Sequence, residues 1–295
     1  MSDPWKADEP IKEENIINES ERDSANPEND EYKLVKLEDN GRLSPNFIPG
    51  TPLAVYDLET SGTWEKPSFG TVALLYIWGA GGGGAAYYRD NFGVARAHGG
   101  AGGAVASILI PLPLIPESVT YAIGQGGDGG VSDVAFEGDD GDDGTPTSFG
   151  DFLEAAGGNG GKTDPDNNTV QSGNSTNDST FGFSLNQLLT GGSSGVVNTG
   201  SGQTAQNAAD QPYQGAGAGG AQYSTFTGAF SSGNGGLSAF LDKKGGNGQA
   251  VNGTATGENG EIACGGGAAV SVTSGASATA TGGKGGDGFI RIYIV

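Results

Sequence analysis

The chain has 295 residues, of which 57 are glycine and 35% hydrophobic, and 35 acidic against 14 basic side chains give it a formal charge of −21. Glycine far above the usual ~7% leaves room only for a thin side-chain core, and without a Lys/Arg cluster nothing neutralises phosphate, which argues against nucleic acid or anionic membranes as partners. The single cysteine, Cys264, excludes an intrachain disulfide framework and reads as a small buried side chain.

The first ten residues, MSDPWKADEP, lack an apolar h-region, and no run approaches ~18 apolar residues, so neither a secretory signal nor membrane insertion is predicted. Residues 1–50 form an acidic arm, poor in glycine, with single hydrophobics at Trp5, Ile11, Ile16 and Ile17. It buries little alone, and reads as an extended arm laid on a partner or as a disordered tail ordered on binding. Tyr32 to Leu37 alternates as a short strand, Asp39-Asn40-Gly41 is a turn signal, and Ser44 to Gly50 is a proline-bounded linker.

A second domain runs from 51 to 295. Thr51 to Leu58 reads as a strand, and Trp64 to Pro67 leads into the stretch that organises the rest, Thr71 to Gly84. There the run Val72 to Trp78 has the length and the β-branched and aromatic content of a strand buried on both faces. The rival helix fails because Gly79 to Gly84 could not continue it, each glycine costing roughly 1 kcal/mol relative to alanine. Tyr87, Tyr88, Arg89 and Phe92 then read as an exposed loop between glycine clusters. Ala104 to Ile115 is a second apolar run, pushed by Pro111 and Pro113 toward edge-strand or polyproline geometry. Ser118 to Ile123 alternates, with Val119, Tyr121 and Ile123 on one face.

Gly124 to Gly130 leads to an acidic loop, Glu137 to Gly144, whose Asp139, Asp140, Asp142 and Asp143 offer hard oxygen ligands of the kind Ca²⁺ accepts. Their spacing fits no EF-hand, and a solvated loop is the alternative reading. No other cofactor motif is present. Ser148 to Ala156 is a short apolar piece, and 162–209 is a long polar surface excursion. Glycine clusters return at 215–220, 233–236, 245–248, 265–267 and 282–288, and the chain closes on Phe289 to Val295, a strand expected beside Val72 to Trp78.

The clusters lack collagen's every-third-residue period. They can form left-handed extended helices with three residues per turn, packed side by side and bonded backbone to backbone, or they can be flexible linkers. Because each abuts an apolar strand, ordered segments are expected. The predicted fold is mainly β, with sandwich-like strands, packed glycine-rich segments of polyglycine II type or extended loops, and an N-terminal extended arm.

Little supports catalysis. Gly124 to Gly129 follows a strand but no helix follows it, so it is no dinucleotide fingerprint. His98 is the lone histidine, without a second base or a thiol beside it in sequence, and paired Asp residues hydrolyse glycosides only in a pocket that nothing identifies. The chain is not expected to be an enzyme.

The order of landmarks carries a resemblance. Trp64-x-x-Pro67, a strand ending Trp78-Gly79-Ala80-Gly81-Gly82-Gly83-Gly84, and Gly102-Gly103-Ala104 entering a strand are followed by Val119 to Gly130. Then come Ser148-Phe149-Gly150, Ala155 to Gly161, and Gly285-Gly286-Asp287-Gly288 before the closing strand. Together they resemble the glycine-rich domain found at the ends of bacteriophage tail fibres and related virion proteins, over about 64–295. KLEDNGRLSPNFIP from Lys36 is similar to a connector common in phage fibres. The resemblance implies a virion surface protein, often a homotrimer, whose exposed inserts bind a glycan or protein on the host. Residues 1–50 would then anchor it to other virion proteins. A head fibre or capsid decoration protein is the alternative, because the long insert and the acidity depart from the pattern and no shaft is present. On this reading the receptor-binding residues are Tyr87, Tyr88, Arg89, Phe92, Tyr213, Tyr223 and Phe226, and packing between glycine segments is the competing role for each.

Overall fold

A computed structural model describes the backbone at 16–17 and 34–35 and residues 52–90, 94–163, 205, 207–211, 215–224, 229–273 and 277–295. The chain divides into two compact units, 1–54 with residue 295, and 55–294. In the first, Ile16–Ile17 and Leu34–Val35 pair in parallel, with Ile16 beside Leu34. The second strand lies inside the predicted Tyr32 to Leu37. The remainder of the arm lies outside the described residues.

Where side chains shrink to hydrogen, backbones approach until each amide finds a carbonyl on a neighbouring segment. Residues 79–85 show the pattern residue by residue. Gly79, Gly82 and Ala85 donate to Ala104, Ala101 and His98; Ala80 and Gly83 donate to Thr145 and Asp142; Gly81 and Gly84 donate to Gly286 and Gly283, all within 2.8–3.2 Å. Every third residue therefore faces the same neighbour, the signature of three residues per turn. The carbonyls follow the same rule toward three other segments. Gly158 and Gly161 donate to Ala80 and Gly83, Gly127 and Gly130 to Gly81 and Gly84, and Gly266 and Ala269 to Gly82 and Ala85. One buried backbone thus sits amid a ring of six others. It donates to three that run against it and accepts from three that run with it.

Residues 263–268 form a second such centre. They donate to Gly82, to Ala216 and Gly219, to Glu258 and Glu261 and to Asp287, and accept from Gly100 and Gly103, from Gly246 and Gln249, and from Gly283 and Gly286. The ordered reading of the glycine blocks holds here, and their geometry is of polyglycine II type. A Cβ placed on Gly82 would fall inside the Asn159 carbonyl, and one on Gly84 inside that of Gly267. The sequence must be glycine where a segment meets backbone and tolerates alanine, as at Ala80 and Ala85, only where a gap remains.

Segments enter and leave this layer through strands. At one end two four-stranded sheets pack face to face. The first orders Ala54–Leu58, Phe289–Ile294, Val72–Trp78 and Val105–Pro111, and the second Leu153–Ala155, Thr147–Phe149, Ser118–Ala122 and Gly62–Glu65. The C-terminal strand pairs with Val72–Trp78 as expected, setting Ile290 against Ile77 and Ile292 against Leu75. Inward rows of Ile110-Ala73-Ile294 and Ile108-Leu75-Ile292 fill the sandwich with Phe149 and Trp64, whose rings meet edge-on at 5.7 Å.

Val72–Trp78 is not buried on both faces as its composition suggested. Ala73, Leu75 and Ile77 are sealed, while Leu74 and Tyr76 turn to an outer face and are half-buried. That outer face is closed only in part, where Phe240 stacks on Tyr76 and Trp78, and it carries a bidentate pair from Arg291 to Asp57. The Asp57 carboxylate raises the Arg291 guanidinium pKa further above its usual range. Val105–Pro111 is an edge strand to Pro111, followed by a 3₁₀ turn at Leu112–Leu114.

At the other end three thinner sheets are built from strands that continue the glycine segments. Segments 79–85 and 263–268 run the same way, so Ala86–Arg89 and Ala269–Val272 emerge as a parallel pair with no helical crossover. Gln249–Asn252 joins them, also in parallel. Alanine dominates this layer because the strands inherit the close spacing of the glycines, and Tyr87, Tyr223, Val270 and Val272 supply its bulk.

At the perimeter a segment has no further neighbour, and polar side chains stand in for the missing carbonyl. Asp143 Oδ1 accepts from the Gly160 amide at 2.7 Å and Asp140 Oδ1 from Thr163 at 2.8 Å. Asn207 and Asp210 accept from Asn234 and Leu237, again three residues apart on both segments. Asp287 holds Gly126 and Glu261 holds Lys244. Asp140, Asp143, Asp210, Asp287 and Glu261 therefore terminate a lattice of amides, a role that solvation alone did not suggest.

This packing fixes what substitution and alkylation should do. Gly82→Ala is expected to cost on the order of 3 kcal/mol or more in urea unfolding, because rigid backbone and not a movable side chain receives the methyl. Gly62→Ala, facing only the Tyr121 side chain, is expected to stay within about 1 kcal/mol of wild type. Asp143→Ala leaves the buried Gly160 amide unpaired and should lose about 1–3 kcal/mol, whereas Asp143→Asn keeps an acceptor oxygen and should lose less. Burial pushes the Cys264 thiol up to about 12, so alkylation in the native state is expected to be slower than in the unfolded chain, as followed by mass shift. Because the folded thiol holds its proton where the unfolded one, at its ordinary value of 9.0, releases it, this group lowers stability only as pH rises above that value.

Candidate functional site

The end of the glycine layer opposite the sandwich gathers the loops. Ala86–Arg89, Ala221–Ser224, Ala269–Val272 and the segment ending at Thr163 all terminate there. The connections 91–93, 164–204, 225–228 and 274–276 start from those ends. Thr163 bridges Ala97, and the Ala205 amide bonds Ser231 Oγ at 2.8 Å, so the long insert leaves and returns on this same side. Phe92, Tyr213 and Phe226 lie outside the described residues.

The expected exposed loop at 87–92 is instead a strand as far as Arg89. Tyr87 and Tyr88 are buried, paired with Val270 and Ser271. Tyr223 is buried too, its ring 4.7 Å from Phe230, in one cluster with Tyr87 and Val272. The sequence could not reveal this, because aromatics after a glycine block look like a loop unless the glycines are known to continue as paired strands. Within the folded chain these three tyrosines fill the gap between close-spaced sheets, the packing role that competed with recognition, and of this set Arg89 stays half-exposed.

Arg89 meets residues that the sequence reading passed over. Its guanidinium sits 5.2 Å over the ring of Phe136, while Nη1 donates to the Val94 carbonyl at 2.9 Å. Phe136 is 49% exposed and held at a φ of 66°, its amide donating to the Tyr88 carbonyl. A non-glycine residue in that region is uncommon, and strain of this sort gathers at recognition sites. Val131 and Val134 of the same stretch are each about half exposed, and Ser132 Oγ ties the loop down between the Tyr88 amide and the Glu137 carbonyl. The available signal was Val134-Ala135-Phe136, an apolar triplet beside an otherwise acidic loop. This patch can stack against a flat apolar surface with a cation at its edge.

The acidic residues do not converge. Asp139 faces the Val131 amide, while Asp140 faces Thr163 and an ion pair with Lys162 at 3.2 Å; Asp143 faces Gly160. Three residues per turn sends successive side chains to different neighbours, so adjacent Asp residues separate where a compact loop would gather them. Among the described residues no group of three or more His, Cys, Asp or Glu side chains is arranged to hold a metal ion. His98 is buried in the glycine layer, and its backbone joins the lattice through Ala85 and Lys162.

No curated protein matches the chain. The family described as a glycine-rich domain matches residues 57–295, which takes in the sandwich, the glycine layer and the loop-bearing end together. The chain belongs to this glycine-rich domain family.

Proposed function

We propose that the protein is a virion surface protein, a fibre, spike or adhesin, that displays receptor-binding loops for attachment to a host cell and carries out no catalysis. The observation that carries this reading is the polarity of the chain path. The described domain begins in the sandwich at Ala54–Leu58, whereas the connections 91–93, 164–204, 225–228 and 274–276 start from the opposite end of a stiff backbone layer. Such a layer separates anchoring from recognition, and its glycines free the loops from any duty in folding. Residues 1–50 would dock on other virion proteins, the assembled form would be a homotrimer, and the ligand would be a glycan or protein of the host surface. Within the described residues Arg89 and Phe136 are the side chains best placed to touch it.

The test is binding of labelled protein to host cells, with wild type compared against a variant in which 164–204 is replaced by a short Gly-Ser linker. The reading expects saturable binding by wild type, a loss on the order of tenfold or more in the variant, and unchanged unfolding. Absence of wild-type binding at micromolar protein would favour the head-fibre or capsid-decoration role.

A further inference from the structure

Asn-Gly is the dipeptide most prone to lose ammonia, because the unhindered glycine nitrogen can attack the preceding side-chain amide. The described residues contain this dipeptide at 159–160, 234–235, 247–248, 252–253 and 259–260. Attack requires the glycine nitrogen to give up its proton and swing toward Cγ of the asparagine. A hydrogen bond that fixes the peptide plane opposes both.

The lattice provides such a bond at four of the five positions. Gly160 donates to Asp143 Oδ1 at 2.7 Å and Gly235 to Asn247 Oδ1 at 3.1 Å. Gly248 donates to the Gly233 carbonyl at 2.9 Å and Gly260 to that of Lys284 at 2.8 Å. Two of the asparagines are themselves pinned: Asn247 Nδ2 donates to Glu258, and Asn259 Oδ1 accepts from the Lys284 amide. Gly253 differs. It lies in the turn between Gln249–Asn252 and Ala255–Thr256, outside the glycine layer, and its amide bonds no described residue. Its φ is 120°, and nothing lies within 4 Å of where its Cβ would be. Exposure does not make the distinction, since Asn234, Asn252 and Asn259 are all exposed.

We propose that Asn252 is a site of selective spontaneous deamidation, and that the glycine lattice shields the other four asparagines by occupying the nitrogen that would attack. The Gly253 nitrogen forms a bond to Asn252 Cγ, the Cγ–Nδ2 bond breaks, and ammonia leaves with the proton from the glycine nitrogen. Water then opens the five-membered imide at either carbonyl, giving aspartate or isoaspartate. The product adds a negative charge, and in the isoaspartate an extra backbone carbon, beside the parallel strand Ala269–Val272.

The experiment is peptide mapping by mass spectrometry, with aspartate and isoaspartate resolved, during incubation of the full chain in mildly alkaline buffer. In the native protein Asn252 is expected to convert on the order of tenfold or more faster than Asn159, Asn234, Asn247 and Asn259, a gap that a bond of ordinary strength plus local opening supplies. In denaturant the five rates are expected to converge. Asp143→Ala removes the bond on Gly160 and should accelerate Asn159 alone, with the unfolding midpoint recorded to exclude global loosening. Equal native rates at the five sites, or a native Asn252 slower than the others, would overturn the proposal. So would an Asn159 rate unmoved by Asp143→Ala.

Discussion

The fold depends on one contact: an amide N–H and a carbonyl oxygen brought together from two segments that have no side chain between them. In an ordinary core, apolar side chains set the spacing and backbone bonds stay within helices and sheets. Here the spacing is set by the missing Cβ, and every residue of 79–85 spends its N–H on a different segment from its immediate neighbours. Each such bond is worth only about 1 kcal/mol net, but a buried amide without a partner costs more than that. The layer is therefore cooperative: removing one segment would orphan donors on three others.

Two consequences run through the molecule. The first is architectural. Three residues per turn lets a segment have parallel and antiparallel neighbours together, so strands leaving the layer pair in parallel without the crossover helices a parallel sheet otherwise needs. The second is chemical. A lattice of amides has a perimeter of unpaired donors, and carboxylates are strong acceptors for them. Asp140, Asp143, Asp210 and Glu261 fill that role, which ties the acidic composition to the fold. The same period scatters Asp139, Asp140 and Asp143 among different neighbours and so works against a calcium site.

Much of the scaffold was legible in the residues. Val72 to Trp78 and Phe289 to Ile294 stand out because β-branched runs bounded by glycine have few other fates, and their pairing follows from being the strongest such runs. The ordering of the glycine blocks was legible because each abuts a strand. What could not be read is which residues face which neighbour, since glycine carries no pattern of polarity. That is why Tyr87, Tyr88 and Tyr223 looked like surface inserts and are packed inside, and why Phe136, isolated in an acidic stretch, was passed over.

A layer of this kind stands or falls on whether its amides are held. Hydrogen exchange at single-residue resolution across Gly81, Gly82, Gly83 and Gly84 measures that directly. The account predicts protection equal to that of Leu75 and Ile77 in the sandwich, so that all exchange only through global unfolding. Exchange of those four glycines at the rate of an unstructured peptide, while Leu75 and Ile77 remain protected, would contradict it.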